Sequence, residues 1–434
     1  MKVAVLGAGV IGVTTAYELA RDGHEVTVVE RLPEAAAETS FANAGLFSPG
    51  HAYTWASPKA PKILLKSLYK EGQALRFKPS LDPHLWSWSW RFLRNCTAER
   101  ARINTKRKVR LCMYSQQRLQ QVVAETGVKY HGLKGGLLYL YRSTESFDRG
   151  AANTKILTEE GLELRPIDAE EAARIDPALA PVKHKFAGAI YCPSDESGDC
   201  RVFTQGLAKH AAGKFGVAFT YDTEITGFET AGDKVTGLRT TSGITKADAF
   251  VFCLGVFGPK LARQLGVRLP IYPIKGYSMT LPIDGRNNPP SIGGVDEDNL
   301  TAYSRFGDRM RVTATAEFAG YDKGHKPADF SHMTAAIRDL FPSGANYDQP
   351  SYWAGLRPMT PEGTPIFGAG RYRNMIFNTG HGHIGWTMSI GSARIAADLI
   401  NGSKPELPLE GMLVNASLSR PSANRQNDPE ALAS

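Results

Sequence analysis

The sequence predicts an α/β fold: a Rossmann-like nucleotide-binding domain assembled from separate stretches of chain, with a second domain inserted into it. Three observations predict this. The chain opens with strand, glycine turn, helix and strand within about thirty residues, a βαβ unit. A second glycine-rich turn running into a helix, "NTGHGHIGWTMSIGSARIAADLI", stands at residues 378 to 400, near the other end. Strand-rich material of different character lies between the two, and 434 residues exceed one ordinary core.

Each element follows from local pattern. "KVAVL" is a short apolar β-rich run of the kind found in buried parallel strands. "GAGVIG" turns the chain, "VTTAYELARDG" carries apolar residues at helical spacing up to the stop signal Gly23, and "HEVTVVE" is a second strand. From 51 to 184 come proline-punctuated loops, helices expected over 63 to 71 and 85 to 127, and the β-like "GGLLYLYRS". The stretch beginning "FAGAIYCPSDESGDC" reads as a helix followed by strands, the last being "KADAFVFCLG" with Cys253 as a buried apolar residue. "YPIKGYSMTLPI", "TAYSRFG" and "MRVTATAEFAG" make 266 to 354 strand-rich again, and the glycine-led helix near 385 closes the fold. The expected division is 1–50, 185–265 and 355–415 for the nucleotide-binding domain, 51–184 and 266–354 for the inserted domain, and 416–434 as a frayed polar tail.

Composition narrows the function. Basic residues exceed acidic ones to give a net charge of +8, concentrated in "RNCTAERARINTKRKVRLCMYSQQRLQQ". That segment is either a solvated helix face or a surface for an anionic membrane; no recognition motif accompanies it, so nucleic acid is not an expected partner. The adjoining "LWSWSWRFLRN" either packs Trp86, Trp88 and Trp90 on the inserted domain or forms a membrane-interface and quinone-access surface. No apolar run reaches the ~18 residues of a membrane span, and the first strand lacks signal-peptide features, so an intracellular location is expected. Five cysteines without a CxxC pair argue against a disulfide framework or a zinc site.

Gly7, Gly9 and Gly12, with Val10 and Ile11 between them, form the G-x-G-x-x-G pattern after a strand and at a helix start. Gly7 permits the tight turn, Gly9 lets the backbone approach a pyrophosphate, and Gly12 allows close helix–sheet packing. The helix N-terminus offers unpaired N–H groups to the phosphates. Glu30, ending the next strand, accepts hydrogen bonds from ribose hydroxyls and repels a 2′-phosphate, which leaves FAD or NAD rather than NADP. Arg31 follows it, and then a loop with Ser40, Asn43, Ala44 and Gly45 that suits a cofactor richer in oxygens than NAD. By strand logic Ile225 pairs its backbone with adenine, and Gly255 lets the chain pass close to the cofactor.

"VLGAGVIGVTTAYELARDGHEVTVVER", "ETSFANAG", "PIKGYSMT", "AGLRPMTPEGTPIFG" and "GHGHIGWTMSIGSA" together resemble the bacterial FAD-dependent D-amino-acid dehydrogenase (small subunit) family, within the D-amino-acid oxidase and glycine oxidase group. The resemblance runs in order from residue 1 to about 412. It implies an α/β fold with a discontinuous Rossmann-like FAD-binding domain and an inserted α+β substrate domain built on an antiparallel sheet. It implies hydride transfer from the Cα of a D-amino acid to flavin N5, then hydrolysis to a 2-oxo acid and ammonia, as in D-alanine catabolism. Electrons pass to a quinone or other non-oxygen acceptor; the alternative is an oxidase of glycine, sarcosine or another amine that releases H2O2. A NAD-dependent dehydrogenase and a non-enzymatic flavoprotein are the competing classes.

In that setting Arg357 occupies the family's carboxylate-gripping position, for which a planar, permanently charged fork is suited. Arg305 is the second choice. Tyr277 and Tyr53 are candidate helpers, or else core residues with satisfied hydroxyls. Lys275, if it points inward, stabilises negative charge on the reduced flavin or promotes reaction with O2. His381 is the family's residue in "GHG", whereas His383 stands where relatives more often carry Thr or another small residue. Nothing nearby supplies a third ligand, so no metal is expected. Gly380, Gly382, Gly385, Trp386 and Thr387 are expected to line the pyrimidine edge of the flavin, with the helix start favouring negative charge there. The expected partners are an amino-acid substrate and an electron acceptor, in the cytoplasm or peripherally on the inner membrane face; the oligomeric state stays open.

Overall fold

A computed structural model describes residues 1–67, 75–78 and 80–414 of the chain. The expected tail at 416–434 and the end of the helix expected over 63 to 71 lie outside the described residues.

"KVAVL" forms the strand Lys2–Leu6, buried at every position but the first, with parallel partners on both sides: Glu25–Val29 and Ala249–Phe252. A strand covered on both faces and flanked on both edges has no wet side, hence its unbroken apolar run. Ala218–Thr220 extends the sheet beyond Glu25–Val29, Met375–Thr379 extends it beyond Ala249–Phe252, and Ile366–Ala369 closes that edge antiparallel. The two glycine turns thus leave the same sheet from the strands Lys2–Leu6 and Met375–Thr379.

Of the helices that follow them, Gly385–Ile400 packs on both Val10–Arg21 and the long helix Ala98–Thr126. Glu18 joins all three. Its carboxylate is fully buried and meets Arg21 at 2.7 Å, Arg118 at 2.9 Å and Arg394 at 2.9 Å. A buried carboxylate is tolerable only when it is paired and hydrogen-bonded, as Glu18 is here.

The second sheet has the order Ser351–Met359, Tyr272–Pro282, Arg309–Phe318, Thr301–Phe306, Gly293–Asp296, Leu137–Tyr141, Gly188–Cys192, Arg165–Asp168, with Leu75–Phe77 beside Arg309–Phe318. It is antiparallel except where Gly293–Asp296 meets Leu137–Tyr141 and where Leu75–Phe77 joins. Because Gly188–Cys192 and Ser351–Met359 belong to it, the chain passes from this sheet toward the parallel one after those strands.

The helix expected over 85 to 127 is two helices, Pro83–Asn95 and Ala98–Thr126. The break lies at Thr97, whose extended backbone and side chain, accepting from Arg100 N at 3.3 Å, start the second helix. Gly127, at φ 66°, ends it. Of the three tryptophans, Trp88 is buried and donates to the Met359 carbonyl at 2.8 Å, while Trp86 and Trp90 are 54% and 59% exposed. Among the described residues no helix is long and apolar enough to cross a membrane.

Candidate active site

A cavity of ≈820 Å3 runs between the two sheets, from Glu30 and Ile225 past both glycine turns to Arg357 and His51. At its first end, Gly7 holds φ +99°, a conformation that side chains rarely adopt, and a Cβ on Gly12 would lie 1.8 Å from the Gly7 carbonyl oxygen. Gly12 therefore serves packing and does not line the cavity. Gly9 differs: an added Cβ would meet nothing closer than Ser40 Oγ at 3.6 Å, and the residue faces the cavity. The Ser40 hydroxyl accepts from Val10 N at 3.0 Å, so the helix start and the Ser40 to Gly45 loop converge on one spot. Glu30 accepts from Ala8 N at 2.7 Å and from Leu32 N at 3.0 Å, which fixes its carboxylate at the cavity wall. Arg31 lies over the Phe257 ring at 4.1 Å and pairs with Glu38 at 2.6 Å. Asn43, Ala44, Gly45, Ile225 and Gly255 line the same end.

At the other end stand Gly380, His381, Gly382, His383, Gly385 and Trp386. His381 is buried and bonded through Nε2 to Ser392 Oγ at 3.0 Å; burial lowers its pKa to about 3, so it stays neutral. His383 stacks on Trp55 with ring centroids 4.9 Å apart. Burial first, and then the neighbouring Lys108, His51 and Arg357, push its pKa well below the usual imidazole value, so it too is neutral. Thr387 is turned out of the cavity, its hydroxyl accepting from Ser48 N at 3.1 Å.

Arg357 projects from the strand Ser351–Met359 over Gly276 of the neighbouring strand. A Cβ on Gly276 would lie 2.5 Å from the guanidinium carbon, so the bare glycine is what makes room for that plane. Its hydrogen-bond partners are carbonyls, Thr315 O at 3.1 Å and Lys275 O at 3.5 Å. Thr315 sits at a bulge at φ 63°, a strained state for a β-branched residue, and that bulge aims its carbonyl at Arg357. Among the described residues no carboxylate lies within ion-pair distance of Arg357, and enclosure by protein lowers its pKa to about 10.

Three expected residues are directed elsewhere. Lys275 is buried outside the cavity wall, its ammonium donating to the Gly324 carbonyl and lying 3.8 Å from Asp322. Arg305 folds back on Gly307 O at 3.1 Å, away from the cavity. Tyr53 lines a separate small cavity, and its carbonyl accepts from Lys108 Nζ at 2.7 Å. Tyr277 borders the main cavity, but its ring packs edge-on against Phe330 and its hydroxyl donates to Glu317. The residues of "GHAYTW" that reach the main cavity are His51 and Trp55, not Tyr53. His51 pairs with Glu297 at 2.9 Å, a partner for which the sequence carries no local signal.

The arrangement fits a dinucleotide bearing a three-ring system. Among the described residues, Ser278 Oγ, Asn378 Oδ1, Thr379 Oγ1 and Trp386 Nε1 are buried polar atoms without a hydrogen-bond partner, and all four belong to cavity-lining residues. Each such atom costs about 1–3 kcal/mol when left unpaired, a cost that a polar ligand relieves where it reaches them. Room for a ligand at the bare Gly9 and Gly255, together with these unpaired atoms, is what FAD requires of the site.

A family model described as FAD dependent oxidoreductase (DAO) matches residues 2–399. The chain is 45% identical over 413 residues to D-amino acid dehydrogenase 2 of Mesorhizobium japonicum, covering 95% of this chain and 99% of that protein. It is 44% identical over 415 residues to a D-amino acid dehydrogenase of Agrobacterium fabrum, covering 96% and 99% respectively. Among solved structures, glycine oxidase from Geobacillus kaustophilus shares the fold at a TM-score of 0.72 and 21% identity, over 95% of this chain and 98% of that one.

Proposed function

The chain belongs to the DAO family of FAD dependent oxidoreductases, and from that premise we propose that it oxidatively deaminates D-amino acids, delivering the electrons to an acceptor other than oxygen. One observation carries the reading. Arg357, a guanidinium with no acidic partner among the described residues, waits at the far end of a cavity that fits FAD, in a chain whose relatives are named D-amino acid dehydrogenase.

FAD bound there supplies the two-electron acceptor for the substrate's Cα–H bond. Gly7, Gly9, Val10 and Ile11 hold its pyrophosphate at the helix start, Glu30 and Arg31 its ribose end, and Ser40, Asn43, Ala44 and Gly45 its linker. Ile225 and Gly255 border the adenine, and Gly380, Gly382, Gly385 and Trp386 border the ring system. Arg357 binds the substrate carboxylate through a fork of parallel N–H donors, which fixes the side from which Cα–H is presented. Neutral His381 adds no charge that would compete for that carboxylate. The Trp55–His383 stack walls the same end and limits the side chain that fits. Water hydrolyses the resulting imine to a 2-oxo acid and ammonia.

The bodies built on the two sheets correspond to a cofactor-binding domain and a substrate-binding domain. A peripheral contact with the cytoplasmic face of the membrane suits a quinone acceptor. It is supported by exposed Trp86, Trp90 and Leu93 on one helix, with Arg94 lying over the Trp90 ring at 4.6 Å. Sedimentation with anionic vesicles at low salt tests it; protein that stays in the supernatant refutes the contact. The activity is tested by anaerobic addition of D-alanine to the yellow holoenzyme, followed by a dye acceptor. Flavin bleaching and dye reduction are expected. Stoichiometric H2O2 in air without dye reduction would overturn the acceptor assignment, and no bleaching by any D-amino acid would overturn the substrate class.

A further inference from the structure

The substrate end of the cavity carries a second ionisable element besides Arg357. His51 Nε2 lies 2.9 Å from Glu297 Oε1. Among the described residues these are the only two that line both the main cavity and a smaller one of ≈120 Å3 beside it. The pair is thus the partition between the two spaces. Among the described residues four carboxylates line the main cavity, and three belong to its nucleotide end: Glu30 on Ala8 N, Glu38 on Arg31 and Lys323, and Glu224 next to Ile225. Glu297 alone stands near the end that holds Arg357, since His383 feels the charges of both His51 and Arg357. A zwitterionic substrate gripped by its carboxylate needs an acceptor for its ammonium, and Glu297 is the carboxylate at that end.

The imidazole is held for such a task. It stacks on Tyr139 at 5.3 Å, the Tyr139 hydroxyl donates to Asp195, and Asp195 accepts from Gly50 N at 3.0 Å. The charged and titratable groups facing it are Glu297, Asp195, Lys108 and His383, with Tyr53, Tyr139 and Tyr141 around the small cavity. Burial would lower the pKa of His51, yet Glu297 holds it above the ordinary imidazole value. Asn153 and Thr154 complete a polar lining, and the volume admits about four waters at ~30 Å3 each.

We propose that the Glu297–His51 pair takes the proton from the substrate's α-ammonium and returns it to solvent through the small cavity. This rests on the amino-acid substrate proposed above. One N–H bond of the ammonium breaks and its electron pair stays on nitrogen. The proton converts a carboxylate bonded to neutral imidazole into a carboxylate–imidazolium pair. The freed lone pair forms the C=N bond as Cα loses hydride, so the substrate gives up two electrons to FAD and no other oxidant is needed.

The test compares His51→Gln, Glu297→Gln and Glu297→Asp holoenzymes with wild type, measuring kcat/KM for D-alanine by dye reduction from pH 6 to 10. Both Gln variants are expected to lose roughly 10²–10⁴-fold at pH 7, the range of general-base catalysis. Their deficit should shrink toward pH 10, where solvent has already deprotonated the amine. Glu297→Asp, which keeps the charge, should fall between. Propionate, which has a carboxylate and no amine, should perturb the bound-flavin spectrum at unchanged affinity in all three. An equal deficit at every pH, or none, overturns the proposal. Failure of wild type to oxidise any D-amino acid at any pH overturns the substrate assignment instead.

Discussion

Replacing Arg357 by Met removes a charge that has no counter-ion among the described residues, and this makes two opposite expectations from one change. Without substrate the guanidinium is enclosed with only carbonyl partners, and its pKa falls to about 10. Such an uncompensated charge opposes folding, so Arg357→Met should leave the thermal midpoint of ligand-free holoenzyme unchanged or higher. With substrate bound, the same guanidinium is half of a desolvated ion pair, and truncating one half of such a pair costs about 2–5 kcal/mol. Taking ~3 kcal/mol, kcat/KM for D-alanine falls roughly 150-fold at ~1.4 kcal/mol per decade. Gly276→Ala supplies an independent arm. Its Cβ would fall 2.5 Å from the guanidinium carbon, displacing the fork while keeping its charge, and kcat/KM should drop in the same direction. The assay is anaerobic dye reduction normalised to bound flavin, with a melting curve in the presence and absence of propionate. Propionate should raise the midpoint of wild type and not of Arg357→Met. An Arg357→Met enzyme within threefold of wild-type kcat/KM, still protected by propionate, would refute the carboxylate assignment.

Further expectations follow from neighbouring geometry. His383→Thr removes one ring of the Trp55–His383 stack, so kcat/KM for bulky D-amino acids should rise relative to D-alanine; an unchanged ratio across a side-chain series counts against this wall as a selectivity filter. Tyr277→Phe should keep kcat/KM within about threefold while lowering stability in urea by about 1–3 kcal/mol, because the hydroxyl serves Glu317 and its loss leaves that carboxylate short of a donor. A hundredfold loss of activity would instead give the hydroxyl a place on the substrate. Stability should also fall with acidity through His381. Its pKa is about 3 when folded and near 6.5 when unfolded, so the unfolded chain binds the extra proton between those values. The stability present above pH 6.5 is therefore lost as pH falls toward 3, at about 1.4 kcal/mol per unit from this group. Urea midpoints of His381→Gln should decline less steeply between pH 6 and 4, and a parallel decline would exclude His381 as the source.

The nucleotide end of the cavity was legible in the sequence because its chemistry is local. Gly7, Gly9 and Gly12 act through φ and Cβ clearance within one turn, Glu30 ends the very next strand, and short spacing alone brings them together. The closing turn was legible for the same reason: Gly380 to Trp386 runs directly into its helix and lines the cavity. The substrate end was only partly so. Lys275, Arg305 and Tyr53 have suitable chemistry, but where a strand or loop residue points depends on its partner's register and bulges. The bulge opposite Gly276 and Tyr277 is invisible until the strand Arg309–Phe318 is laid beside them.

Pairings between distant segments were beyond sequence reasoning altogether. His51 and Glu297 come from different parts of the chain and neither neighbourhood hints at the other; Glu297 reaches His51 because Gly293–Asp296 pairs in parallel with Leu137–Tyr141. The unpaired charge of Arg357 is likewise a property of what the fold leaves out of its surroundings. By itself, then, the sequence determined the two glycine turns that line the cavity, whose interactions are short-range and sterically forced. Only the tertiary structure decided which charges face one another across the cavity, because separation in space, and not in sequence, sets the strength of a charge's interactions.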